Sequence, residues 1–318
     1  MRSFFHVARN TFRESLREPV FYILLTLALA LIGIFPSLAL YVFREQIKMV
    51  VDSAMSTTLV LGLVAAALCA GNTVSGEISR GTASLLLSKP IPKNLFVIAK
   101  MAGILAALTL FVLACSCATL ISLRVAKDQF DLDNLTFGIY YAALLTASLW
   151  GAARNYFAAK NFSESACLAS VILFPTLTPL VQIIPSGDAI PPEFPYEVLP
   201  ALALLLFAVW IMGAVTVAIS TRLEMVPNLF ISAAIFFAGL VSDYFLGASA
   251  GGFSIQTALY ALIPNWQFFW MADALAGKRA IPWSYVGWCA VYAASYIAVC
   301  AVVAVNLFAG REAAGGNA

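Results

Sequence analysis

An all-α, polytopic membrane helix bundle is the fold class this sequence predicts, and three observations predict it. Hydrophobic residues fill 62% of the 318 positions and charged residues only 11%, against roughly 25% charged in an average soluble domain. The apolar residues gather into runs long enough to cross a bilayer, which takes about 20 residues. Lysine and arginine favour alternate connections between those runs. One soluble core of this length could not enclose so much apolar surface, whereas lipid solvates it. Residues 1–318 are therefore expected to form a single transmembrane domain.

Residues 1–19 come first. Phe4 or Phe5, Ala8, Phe12 and Leu16 fall on one helical face, and Arg9, Arg13 and Arg17 define another. This predicts an amphipathic helix in the headgroup layer, broken by Pro19 before the first span. The sole histidine, His6, is expected to face solvent. A secretory signal is the rival reading. Its apolar core would run about 7–15 residues, and the run here continues from Pro19 to Phe43.

Eight stretches qualify as spans or come close: Val20–Phe43, Thr57–Val74, Leu95–Leu123, Gly138–Ala158, Ser165–Ile184, Leu199–Thr221, Leu229–Gly247 and Trp283–Phe308. The second and seventh are short, and the third is long enough to tilt. Lys100 and Arg154 lie near span ends and are expected to snorkel to the headgroups, with Asp243 near the opposite surface. Pro36, Pro175 and Pro179 fall inside spans. Cys69, Cys115, Cys117, Cys167, Cys289 and Cys300 all lie in apolar stretches without a CxxC pair, so they read as packing residues.

Orientation follows from the basic residues. With the N-terminus in the cytoplasm, that side collects Arg2, Arg9, Arg13, Arg17, Arg80, Lys89, Lys93, Lys100, Arg154, Lys160, Arg222 and Arg311. The other side has Arg44, Lys48, Arg124, Lys127, Lys278 and Arg279, a bias of 12 to 6. An even number of spans returns the C-terminus to the cytoplasm. Residues 248–282, rich in Tyr260, Trp266, Phe268, Phe269 and Trp270, predict a helix lying on or dipping into the outer interface, not a ninth span.

The connection between spans two and three, residues 75–93, is the second segment that is more than greasy. Gly81 interrupts the incoming helix, Thr82 is a candidate N-cap, and Pro90 and Pro92 close a short helix bearing Leu85, Leu86 and Leu87. Glu77, Arg80 and Lys89 flank it. A short rigid helix with leucines at its tip suits a protein groove, and its charges suit setting register there. An interfacial turn whose leucines dip into lipid would use the same pattern.

This segment resembles permease subunits of type-2 ATP-binding-cassette transporters. The features shared are Glu77, Gly81-Thr82, Leu85-Leu86-Leu87-Ser88 and Lys89-Pro90, followed by Lys93 and Lys100. The start of the chain, Ala8-Arg9-Asn10-Thr11-Phe12-Arg13-Glu14 with Leu16-Arg17, resembles the family's elbow helix. Ser79 stands where members often carry a second acid, and Lys93 where an arginine often follows. The two motifs cover about a third of the chain, through Gly103. The resemblance implies an exporter subunit in the bacterial cytoplasmic (inner) membrane. It further implies a separate cytoplasmic ATPase carrying ATP and Mg, a coupling role for Glu77 to Pro90, and a second permease copy or homologue facing this one.

Other function classes fit less well. The sequence has no GxxxxGK[ST] phosphate loop, so ATP hydrolysis is expected in a partner chain, with no cofactor bound here. A secondary transporter or channel is the alternative. Such proteins usually place ionisable groups at span centres, and Asp243 is the nearest candidate. One histidine outside every span argues against HExxH zinc chemistry, and a net charge of +2 gives no case for nucleic acid.

Overall fold

A computed structural model describes residues 2–40, 42, 46–75, 92–128, 131–184, 195–246, 260, 263–276 and 279–315. Helix α1 covers Arg2–Arg17 and α2 covers Pro19–Ala39. Helix α3, Gln46–Ala70, runs on into a π-helical turn at Gly71–Ser75. Then come α4 (Lys93–Val125), α5 (Asn134–Ala158), α6 (Phe162–Ile183), α7 (Leu199–Ser220) and α8 (Met225–Leu246). A short α9 (Ala272–Ala276) precedes α10 (Trp283–Gly315). A two-stranded antiparallel ribbon, β1 (Ala126–Asp128) with β2 (Asp131–Leu132), links α4 to α5.

Among the described residues eight helices are long and apolar enough to cross a membrane, and each overlaps one of the predicted spans. The chain is an integral, multi-pass membrane protein. The second span is the main revision. It begins at Gln46 rather than Thr57, because Lys48 and Asp52 depress hydropathy without ending the helix. In this added stretch Val50, Val51, Ala54 and Met55 are buried against the bundle.

Local chemistry explains the helix starts. Glu18 is extended, with φ −64° and ψ 121°, and Pro19 follows at the head of α2, where its missing N–H costs nothing. Asp133 caps α5 by accepting from the Thr136 amide at 3.1 Å, and Asn161 caps α6 by accepting from the Glu164 amide at 3.0 Å. Ala159 closes the α5–α6 turn with φ 50°, a left-handed conformation.

Helices α3, α4 and α7 form the centre, with 67%, 67% and 72% of their apolar segments buried, against 28% and 22% for α8 and α10. Helices α2, α5 and α6 flank the centre on one side, while α8 and α10 lie along α7. Small residues set the closest approaches. A Cβ on Gly33 of α2 would fall 2.3 Å from the Tyr140 ring of α5, whose hydroxyl donates to the Leu29 carbonyl. The six cysteines are buried free thiols.

Arg124 points inward. Its guanidinium lies 3.8 Å from Asp133 and donates to Gln182 at 3.3 Å and to the Ile184 carbonyl. It joins the ends of α4, α5 and α6 rather than standing as a free outer charge.

Candidate functional site

Each span reverses the direction of the one before it. Pro19, Ser75, Pro92, Ala158, Phe162, Ser220 and Met225 therefore share one end of the bundle. Ser75 and Pro92, the described residues on either side of 76–91, both lie at this end. Glu77, Arg80, Gly81, Thr82, Leu85, Leu86, Ser88, Lys89 and Pro90, and with them the short helix expected at Thr82–Ser88, lie outside the described residues. What is described is the frame that holds both roots of that segment.

The upstream root is the π-helical turn Gly71–Ser75. Widening the turn alters the carbonyl ladder, as π-turns at functional sites commonly do. The Thr73 carbonyl accepts a hydrogen bond from the Lys100 ammonium of α4, on the downstream side. Lys100 is only 3% exposed, with its ammonium 5.4 Å from the Phe96 ring centroid. The expected snorkelling of Lys100 is thus overturned. An inward carbonyl and an aromatic face hold the charge where the headgroups would otherwise have done so.

The start of α8 is fastened to the same root. A Cβ on Gly71 would lie 2.9 Å from Met225 Cβ, so only glycine permits this approach. Asn228, fully buried, donates to the Ala67 carbonyl at 3.4 Å and accepts from Ser232 at 3.2 Å.

Helix α1 packs along α4, while Phe5 near its start stays exposed. Thr11, Ser15 and Leu16 are buried, with Val7 and Phe12 half-buried beside them. At the crossing, a Cβ on Gly103 would sit 2.5 Å from the Ala8 carbonyl oxygen and 2.8 Å from Thr11 Cβ. Backbone touches backbone, which is why small residues occupy the middle of a face predicted to be greasy. Arg9, Arg13 and Arg17 are exposed on the other side. Arg17 Nε donates to Glu164 at 2.7 Å, and Arg13 Nε lies 3.7 Å from the same carboxylate. Side chains this open to solvent add little stability, but they tie α1 to α6.

The sequence did not indicate Thr73, Glu164 or Gly103 as contact residues. Glu164 follows an Asn N-cap, a readable helix start. Its pairing with arginines of α1 had no sequence signal, since about 150 residues separate them.

At the opposite end, Trp266 of the aromatic-rich segment is packed into the bundle. It is 1% exposed, and its indole N–H donates to the Phe236 carbonyl at 3.0 Å. Phe236 lies ten residues from the end of α8, so the indole penetrates about 15 Å. Gly239 makes room, since a Cβ there would fall 2.3 Å from both the Pro264 carbonyl and the Trp266 nitrogen. The apolar void beside it, lined by Leu59, Leu205, Leu240 and Trp270, is only about 20 Å³. Above it, the Tyr260 hydroxyl donates to Asp243 at 3.0 Å. Loss of solvent raises the Tyr260 phenol above its ordinary value, and Asp243 adds to the rise. Among the described residues no three His, Cys, Asp or Glu side chains converge as a metal site.

The family model described as ABC-2 family transporter protein matches residues 5–192, a stretch that begins in α1 and runs past the end of α6. No curated protein matches the chain.

Proposed function

The chain belongs to the ABC-2 family of transporter proteins, as a membrane component distinct from the ATPase, and from that membership we propose that it is the permease subunit of an exporter. ATP would be hydrolysed, with Mg, by a separate subunit docked beneath residues 75–93. The end carrying α1 would face the cytoplasm of a bacterium, with the chain in its inner membrane. A second copy or a homologue would face this one, and the substrate would pass between them.

The observation that carries this reading is the Lys100–Thr73 contact. It ties the root at the end of α3 to the helix that begins at the other root. A pull on residues 76–91 would then move α3 and α4 as one body rather than spread them. Gly103 fastens α1 to α4, and Arg17 passes the motion on to α6 through Glu164. The arrangement serves as a two-state element that a nucleotide cycle can bias. Within the segment, Leu85, Leu86 and their neighbours would fill the partner's groove while Glu77, Arg80 and Lys89 fix register.

The test is co-expression with the ATPase that accompanies the chain. Leu86→Asp should abolish co-purification. Lys100→Met should preserve co-purification and basal ATP turnover but uncouple that turnover from transport. Full transport by the chain alone in liposomes would defeat the proposal in favour of a secondary transporter.

A further inference from the structure

Beside the α1–α6 contact a furrow of about 600 Å³ opens on the bundle's flank. Among the described residues its rim carries Arg13, Arg17, Arg154 and Lys160, four cations against the single carboxylate of Glu164. Glu164 is already engaged by the two arginines of α1. Arg154 has no carboxylate partner among the described residues. Its guanidinium lies 5.9 Å from the Trp150 ring centroid, and its Nε is buried with no hydrogen-bond acceptor. A buried charged donor left in that condition is costly unless something supplies an acceptor. Lys160 stands on the tight turn into α6, whose N-terminus adds positive potential at the same rim.

Below the rim the furrow turns apolar. Trp150, Leu168 and Ile172 line it, and Ile172 is 63% exposed. Ile172 lies ten residues into α6, about 15 Å below the rim. A cationic mouth over an apolar trough of this depth, open sideways toward lipid, has the layout of one phospholipid molecule. A free phosphate or an acidic protein segment would use the mouth and leave the trough empty.

We propose that this furrow is a binding site for an anionic phospholipid. Its phosphate is held by Arg154 and Lys160 with help from Arg13 and Arg17, and an acyl chain lies along Leu168 and Ile172. Basic pockets between spans bind acidic headgroups through such chemistry. The lipid would supply the acceptor that Arg154 lacks and brace α1 against α6, the contact through which motion of the coupling end reaches the flank.

The full chain in detergent is titrated with phosphatidylglycerol, with phosphatidylcholine in a parallel series, and retained lipid is counted by native mass spectrometry. Phosphatidylglycerol should be retained at least tenfold more tightly than phosphatidylcholine. The Arg154→Gln/Lys160→Gln variant should lose that preference. Glu164→Gln, which removes the one acid among the described lining residues, should strengthen retention several-fold, a gain that misfolding could not produce. Equal retention of the two lipids, or a double variant that keeps the preference, would overturn the assignment. So would displacement of the bound lipid by millimolar inorganic phosphate, because an anion site alone would then explain binding. Loss of ATPase co-purification with unchanged lipid retention would give these cations to the partner protein and also sink the proposal. Each readout is independent of whether transport is export.

Discussion

Ser122 of α4 donates its hydroxyl to the carbonyl of Ile32 in α2 at 2.9 Å, with both ends of the bond buried. Ile32 stands four residues before Pro36, which has no N–H to offer that carbonyl. Helix α2 can therefore run through its internal proline without a bare acceptor, because a neighbouring helix fills the gap. The bond also sets the rotation of α4 against α2.

Removing that hydroxyl has a conditional cost. Ser122→Ala should destabilise the bundle by about 1 kcal/mol, measured by thermal unfolding in detergent. In a Pro36→Ala background, position 36 regains an N–H for the Ile32 carbonyl, so the same change should cost much less. Additive effects of the two substitutions would show that Ser122 does not serve the proline.

Gly103 offers a steric test. Even Gly103→Ala places a methyl 2.5 Å from the Ala8 carbonyl oxygen, a backbone atom that cannot swing aside. Destabilisation of about 1–3 kcal/mol should follow, with α1 becoming sensitive to limited proteolysis. Gly138→Ala is the control, since nothing lies within 4 Å of its added Cβ. Similar behaviour of the two variants would remove the backbone contact from the account of α1.

The buried indole at the far end makes a third prediction. Trp266→Phe puts a smaller phenyl ring in place of the indole and loses the bond to the Phe236 carbonyl, the bond alone being worth about 0.5–1.5 kcal/mol. Gly239→Ala should cost more, because its methyl would collide with the Pro264 carbonyl as well as the indole. Gly287→Ala, which meets nothing within 4 Å, should be silent. Thermal unfolding ranks the three, and a harmless Gly239→Ala would contradict the packing described.

Sidedness is testable with thiol chemistry. The six native cysteines are buried, so membrane-impermeant maleimide should leave the folded chain unlabelled. A cysteine-free variant carrying Ser84→Cys should react only from the cytoplasmic face. Reaction only from outside would invert the orientation and remove the docking site of the proposed ATPase.

How much was legible varies element by element. The apolar run of α7 was visible because hydropathy sums along the chain. The first eleven residues of α3 were missed because Lys48 and Asp52 masked a helix that its neighbours sustain. The amphipathic pattern of α1 was readable, but not the surface it meets. Arginines at Arg9, Arg13 and Arg17 identify a polar face, whereas small residues at Ala8, Thr11 and Gly103 become a contact only once two helices cross. Lys100 was misread for a related reason. Its position near a span end favours a headgroup, and only the fold brings a carbonyl closer.

From the sequence alone came the helical class, the number of spans and the resemblance to a transporter permease, since run length, composition and short motifs are local properties. Tertiary structure alone decided that Lys100 faces Thr73, that Ser122 answers Pro36 through Ile32, and that Arg154 overlooks an apolar furrow. Each of those pairings depends on how far a helix is turned about its own axis. That angle is set by interlocking between distant segments, and no stretch of chain carries it by itself.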